Sequence, residues 1–87
     1  MSCTVKKGLA YRKIDGLMFV VDAAGERLHE LNQTGSLIWE GLAAGKSEAG
    51  LAEAVRAEFE VDERTARGDV SAFVAELSKA GLIIPKP

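Results

Sequence analysis

Only one histidine and one cysteine are present in the 87 residues, so nucleophilic or metal chemistry has few residues to use. A Ser-His-Asp or Cys-His arrangement would need His29, which lies between Leu28 and Glu30 with no nucleophile motif beside it. Cys3 stands near the start of the chain, and a single cysteine forms no internal disulfide. Neither residue belongs to a group with metal-ligand spacing. We therefore predict a protein without catalytic activity, bound metal or cofactor.

The glycines and carboxylates also lack the spacing of known binding loops. Nine glycines are scattered at predicted turns and helix ends and form no phosphate-binding motif. The acidic residues that crowd positions 48–63 do not have the spacing of a calcium loop, so we interpret them as a solvated helix surface. No apolar stretch reaches the roughly 18 residues of a membrane span, and the start has no signal-peptide run. These features predict a soluble, cytoplasmic protein.

A chain of this length forms one domain, here residues 1–87, and its apolar pattern predicts strands first. Three short strands are predicted, at residues 9–14, 17–21 and 27–31. Asp15 and Gly16, between the first two, form a strong hairpin signal, and a turn ending at Gly25 precedes the third. No predicted element covers the outer edge of the third strand. Residues 1–8 are expected to be flexible.

After the third strand, the repeat of apolar residues changes from two residues to about 3.6 residues, which predicts three helices. Asn32, Ser47 and Asp62 are suitable N-caps for them, and Gly81 ends the third. The apolar residues 82–84 are expected to pack back on the domain. The predicted fold class is α+β, of winged helix-turn-helix type, with a three-stranded antiparallel sheet followed by three helices.

Large side chains give further expectations about the core. We expect Trp39 to lie at the edge of the core. We expect the Tyr11 and Phe19 side chains to lie in the core, on the inner face of the sheet. Phe73 and Leu77 are expected in the middle of the buried stripe of the third helix. Phe73→Ala is therefore expected to lower the free energy of unfolding by about 3–5 kcal/mol.

The outer edge of the third strand allows two interpretations. Its unpaired N–H and C=O groups can take up an extended peptide as a further strand. Alternatively, Arg27, His29 and Glu30 protect the edge from such pairing. The spacing of the residues does not distinguish the two.

Residues 20–42, VVDAAGERLHELNQTGSLIWEGL, carry a D…G…LN-Q-T-G…IW run. With the Asp-Gly hairpin before it and DVSAFVAELSKAGLI after it, this run resembles the PqqD family over about residues 9–84. The resemblance implies a winged fold of three strands and three helices. It also implies a non-catalytic peptide chaperone, or recognition element, which binds the leader of a ribosomally made precursor peptide and presents it to a modifying enzyme.

For pyrroloquinoline quinone synthesis, the resemblance implies that the modifying enzyme is a radical S-adenosylmethionine enzyme. Family members that are associated with quinone synthesis tend to have a proline-glutamate turn before the third strand and to lack the LN-Q-T-G-IW run. This chain has the turn DAAG at residues 22–25 and the full run. It is therefore more similar to the broad family, which serves many peptide pathways.

By position, the resemblance places the peptide between the third strand and the third helix. The implied groove residues are Arg27, Leu28, His29, Glu30 and Leu31 on the strand and Arg67, Val70, Ser71, Phe73 and Val74 on the helix. Only one flank of that helix can border the groove. We expect the flank of Arg67, where a cation could pair with an acidic leader residue, rather than the flank of Asp69 and Glu76.

A winged-helix DNA-binding regulator is the alternative function. The third helix carries charges of both signs, at Glu63, Arg64, Arg67, Asp69, Glu76 and Lys79. Because the net charge is −2 and this surface is mixed rather than basic, we predict no nucleic-acid partner. The open edge predicts a monomer or a homodimer that is paired or swapped at that edge.

Overall fold

A computed structural model describes residues 3–85, which fold into five strands and three helices. In chain order these are β1 (Cys3–Val5), β2 (Ala10–Ile14), β3 (Leu17–Asp22), β4 (Arg27–Glu30), α1 (Gln33–Ala43), α2 (Glu48–Phe59), α3 (Glu63–Lys79) and β5 (Ile83–Pro85). Strands β2, β3 and β4 form an antiparallel sheet in that order, before the three helices. The predicted α+β fold class is confirmed. Within this range no helix is long and apolar enough to cross a membrane.

The turn between β2 and β3 sets the register of the three-stranded sheet. Asp15 and Gly16 have positive φ angles of 51° and 82°, as a two-residue type I′ hairpin requires. Ile14 therefore lies opposite Leu17. β4 pairs along the other side of β3, so β3 is the central strand.

Side-chain caps begin all three helices, as the sequence predicts. The Gly35 amide donates a hydrogen bond to Oδ1 of Asn32 at 2.7 Å, and Ser47 caps α2 in the same way. The Thr65 amide donates to Oδ1 of Asp62 at 2.7 Å, and this bond holds the pKa of the Asp62 carboxyl below its usual value. A charged Asp62 also interacts favourably with the positive end of the α3 dipole.

The two ends of the described chain pair with each other, which the sequence analysis does not predict. β1 and β5 are antiparallel, with Val5 opposite Ile83, and the Lys6 amide donates to the Leu82 carbonyl at 2.9 Å. Residues 3–5 thus form a paired strand instead of the expected flexible segment, because the apolar tail after α3 supplies their partner. The expected flexibility of residues 1 and 2 lies outside the described residues.

Trp39 of α1 is buried in the core, on the side of the helix that faces the sheet. None of its surface is exposed, and the Tyr11 ring meets it edge-on, with 5.4 Å between the ring centroids. The expected position at the edge of the core is wrong, because α1 packs against β3 and against α2. Gly41 permits the second contact, since a Cβ there would collide with Leu51. Tyr11, expected in the core, is 44% exposed.

Ser36 joins α1 to the hydrogen-bond ladder between β3 and β4. The Met18 amide donates to its Oγ at 2.7 Å, and the same hydroxyl donates to the Leu31 carbonyl at 3.3 Å. Ser36 is buried. A side chain of α1 therefore bridges two backbone groups at the end of the ladder and fixes the helix against the sheet.

We expect Ser36→Ala to lower the free energy of unfolding by about 1–3 kcal/mol, because the Met18 amide would stay buried without an acceptor. Urea denaturation followed by circular dichroism measures the change. Ser71→Ala is the matched control, because Ser71 is exposed on α3 and such changes stay within about 0.5 kcal/mol. Equal midpoints for Ser36→Ala and the unaltered protein would show that the bridge contributes nothing.

Candidate functional site

Strand β4 has one free edge, since within residues 3–85 it pairs only with β3. The Leu31 amide donates to the Met18 carbonyl at 2.9 Å, and hydrogen-bonded pairs alternate along antiparallel strands. The backbone of His29 therefore also faces β3. The N–H and C=O groups of Leu28 and Glu30 face the free side, where nothing in the described chain pairs with them.

The side chains of β4 alternate between the two faces of the sheet. Val20, opposite His29, is fully buried against the helices, so His29 points to the helix side. Arg27 and Leu31 share that side, although the Leu31 side chain is buried in the core and unavailable to a ligand. Leu28 lies on the outer face and is 67% exposed.

His29 carries a polar atom that nothing in residues 3–85 satisfies. Its Nε2 is buried and has no hydrogen-bond partner, whereas buried polar groups normally have one. No group of three or more His, Cys, Asp or Glu side chains in the described chain could hold a metal ion. Nε2 therefore lies beneath the helix side of β4 and is not exposed to a molecule bound there.

Helix α3 faces the core with Ala66, Val70 and Leu77. Phe73 and Val74 are only partly buried beside them. Phe73 lies about 60° around the helix from Val70 and borders the surface, so its expected place in the middle of the buried stripe is corrected. The stability loss expected for Phe73→Ala is correspondingly smaller than that for a fully buried ring. Val70 is buried and lies at the base of the hollow between α3 and α2.

The two flanks of α3 border different elements. Arg67 and Ser71 line a hollow with residues of α2, among them Ala52. The opposite flank and the start of α1 enclose a hollow of about 240 Å³. This second space, the Phe73 hollow, is lined by Asn32, Thr34, Gly35, Asp69, Ala72, Phe73 and Glu76.

The lining of the Phe73 hollow begins two residues after β4 in the sequence, and Arg67 does not belong to it. Asn32, in its lining, is separated from β4 by Leu31 alone. Arg67 instead pairs with Glu63 at 3.0 Å, and its side chain is 69% exposed. The flank of Arg67 thus faces α2, and the flank of Phe73 faces the start of α1; the flank that borders a bound peptide stays a prediction.

Gly35 allows the Phe73 ring to lie against α1. A Cβ at Gly35 would come within 2.8 Å of two ring carbons of Phe73, so a larger residue requires the ring to move. The glycine of the LN-Q-T-G run thus shapes the hollow.

Gly35→Ala is expected to turn the Phe73 ring out of the hollow with little change in stability. The ring borders the surface and can rotate, and alanine improves helix propensity by about 1 kcal/mol. Nuclear Overhauser contacts between the ring and α1 report the movement. Gly68→Ala is the control, because its Cβ would meet nothing within 4 Å. Unchanged ring contacts in Gly35→Ala would contradict the packing described.

Asn32, Thr34 and Gly35 are not among the residues that the sequence predicts for this region. The sequence shows them as a helix cap and as part of a motif, but periodicity does not tell which flank of α3 the start of α1 will face. Asp69 and Glu76 are recognised as one flank of α3, and the structure supplies the element opposite them.

The outer face of the sheet is apolar beside the free edge. Leu28 lies opposite Val21, and both are exposed. Phe19, expected in the core, lies on this outer face and is partly buried, between Arg12 and Glu30 on the neighbouring strands. A molecule added to β4 would therefore extend an apolar surface.

Residues 18–83 match the family described as coenzyme PQQ synthesis protein D (PqqD). The structure of TbiB1 in complex with the TbiA(beta) leader peptide is similar, with a TM-score of 0.89 and 24% identity, covering 97% of this chain and 98% of that chain. A lasso peptide synthetase B1 complexed with the leader peptide has a TM-score of 0.87 and 27% identity, covering 98% and 100%. No curated protein matches the chain.

Proposed function

Because residues 18–83 match the family's model, the chain belongs to the PqqD family, and we propose that it binds the leader of a ribosomally made precursor peptide as an added strand on β4. The lasso peptide synthetase B1, 27% identical over nearly the whole chain, is complexed with a leader peptide. That relationship supports a peptide chaperone, or recognition element, of the same kind here.

The free N–H and C=O groups of Leu28 and Glu30 carry this proposal. A peptide strand can bond to both residues, and its side chains then alternate between the two faces of the sheet. Those that point to the helix side lie near the exposed Arg27 and the partly exposed His29 side chain and extend towards the Phe73 hollow. Main-chain bonds supply affinity, and this helix side supplies sequence preference.

Of the helix residues that the family resemblance implies, Phe73 is the one we assign to the groove. Val74 lies between the flanks and is partly buried. Arg67 and Ser71 line the side facing α2, and we assign them no peptide contact.

The alternate side chains of the bound peptide would point outward, beside Leu28 and Val21. A modifying enzyme must approach the peptide from this open side, so an apolar outer face suits presentation to a protein partner. We propose a radical S-adenosylmethionine enzyme in peptide natural product or quinone cofactor synthesis as that partner. The protein itself performs no catalytic step in this scheme.

A direct titration tests the proposal. The fluorescently labelled leader of a short precursor encoded beside this gene is titrated with the protein, and a labelled DNA duplex is titrated in parallel. We expect saturable peptide binding and, at physiological salt, no binding of the duplex. Duplex binding that weakens steeply with salt, without peptide binding, would favour the DNA-binding alternative.

A further inference from the structure

We propose that the Phe73 hollow takes a lysine or arginine side chain of the bound peptide, so that the protein selects leaders with a basic residue at one fixed position. This inference rests on the proposed function and adds a chemical class to it. It also reverses the preference for an acidic leader residue that the flank of Arg67 would have implied.

The charge of the hollow comes from Asp69 and Glu76. Seven residues separate them on α3, which places them on one side of the helix and about 10 Å apart along its axis. Both are exposed. The ion pairs within residues 3–85 are Lys13–Glu40, Arg56–Glu53 and Arg67–Glu63. Neither carboxylate of the hollow is neutralised in the described chain.

The partial positive charge at the N-terminus of α1 offsets the negative charge of the hollow only weakly. A helix N-terminus carries about half a positive charge, and the Asn32 side chain already accepts the Gly35 amide there. Two full negative charges on Asp69 and Glu76 exceed it. Arg27 begins β4, roughly 15 Å away along the extended chain from Asn32, so it does not line the hollow. The local field therefore favours a cation.

The floor of the hollow suits the stem of a long basic side chain. The Phe73 ring, which lies against Gly35, forms part of the lining together with Ala72. Lysine and arginine lay their aliphatic stems on apolar surface and keep the charge outside, and their cations are attracted to aromatic faces. One such residue can contact the ring and reach Asp69 or Glu76 at once. An acidic or purely aliphatic residue matches only part of this lining.

A displayed library of random linear peptides tests the inference without knowledge of the leader. It is selected on the unaltered protein and on Asp69→Lys/Glu76→Lys. The matched control is Glu48→Lys/Glu58→Lys, which changes the net charge equally at exposed positions of α2. Circular dichroism shows that each variant is folded before selection.

We expect the unaltered protein and the α2 control to enrich lysine or arginine at one position of the selected peptides. The hollow variant should lose that enrichment and favour aspartate or glutamate there. Replacing the selected basic residue by glutamate should weaken binding to the unaltered protein at least about tenfold and strengthen binding to the hollow variant.

Two results would overturn the inference, and they are distinguishable. If peptides are enriched and fail to bind Glu30→Pro, but show the same residues at that position on all three proteins, strand addition stands and the basic preference is wrong. If no peptide is enriched, or the enriched peptides bind Glu30→Pro as well as the unaltered protein, the proposed function fails and the basic preference fails with it.

Discussion

Glu30→Pro is expected to abolish strand addition while the protein stays folded. The Glu30 amide faces the free side of β4, so proline removes a donor that only a bound peptide would use. The proline ring also occupies space that the next strand needs. Loss of these contacts should weaken leader binding at least about tenfold, and fluorescence anisotropy with the labelled leader measures it.

Two further variants separate the backbone from the side chain. Glu30→Thr keeps the amide and should leave affinity within about twofold. His29→Pro removes an amide that bonds to β3, so it should destabilise the sheet by about 1–3 kcal/mol whether or not a peptide is present. Leader binding by Glu30→Pro as tight as that of the unaltered protein would exclude strand addition at this edge.

Trp39→Ala is expected to lower the free energy of unfolding by about 3–5 kcal/mol, because a fully buried indole is replaced by a cavity. Small domains have about 5–15 kcal/mol in total, so a large unfolded fraction should be present. The midpoint of thermal unfolding should fall by more than about 12 °C. A fall of only a few degrees would place Trp39 outside the core.

Trp39→Phe is the informative companion. Nε1 of Trp39 is buried and has no hydrogen-bond partner in residues 3–85. Phenylalanine removes that unsatisfied donor, which offsets part of the lost packing. We therefore expect a loss of only about 1 kcal/mol. Equal losses for phenylalanine and alanine would mean that the indole N–H is well satisfied in solution.

Features with a local cause could be predicted from the sequence. Asp15 and Gly16 specify their hairpin through positive φ angles, and Asn32, Ser47 and Asp62 specify helix starts through their own side chains. The open edge of β4 also follows from chain order, because a simple meander leaves its last strand paired on one side. These signals predict the fold and the strand that borders the site.

Features that depend on contacts between distant elements could not be predicted. The close packing of α2 on α1 depends on Gly41, where a Cβ would collide with Leu51, and the periodicity of α1 does not show where that contact will be. The flank of α3 that faces α1 depends on where Gly35 meets Phe73. In both cases a glycine lies at a close contact between two helices, but the sequence does not show which residue will contact it.

The pairing of β1 with β5 closes the domain into a ring of about 80 residues. The entropic cost of closing a loop rises only slowly with its length. The packed core can therefore offset the cost of this long closure. Each end is held by the other, and local opening should free both together. Hydrogen exchange at Val5 and Ile83 should therefore have similar protection. Proteolytic trimming at either end would expose the opposite end as well.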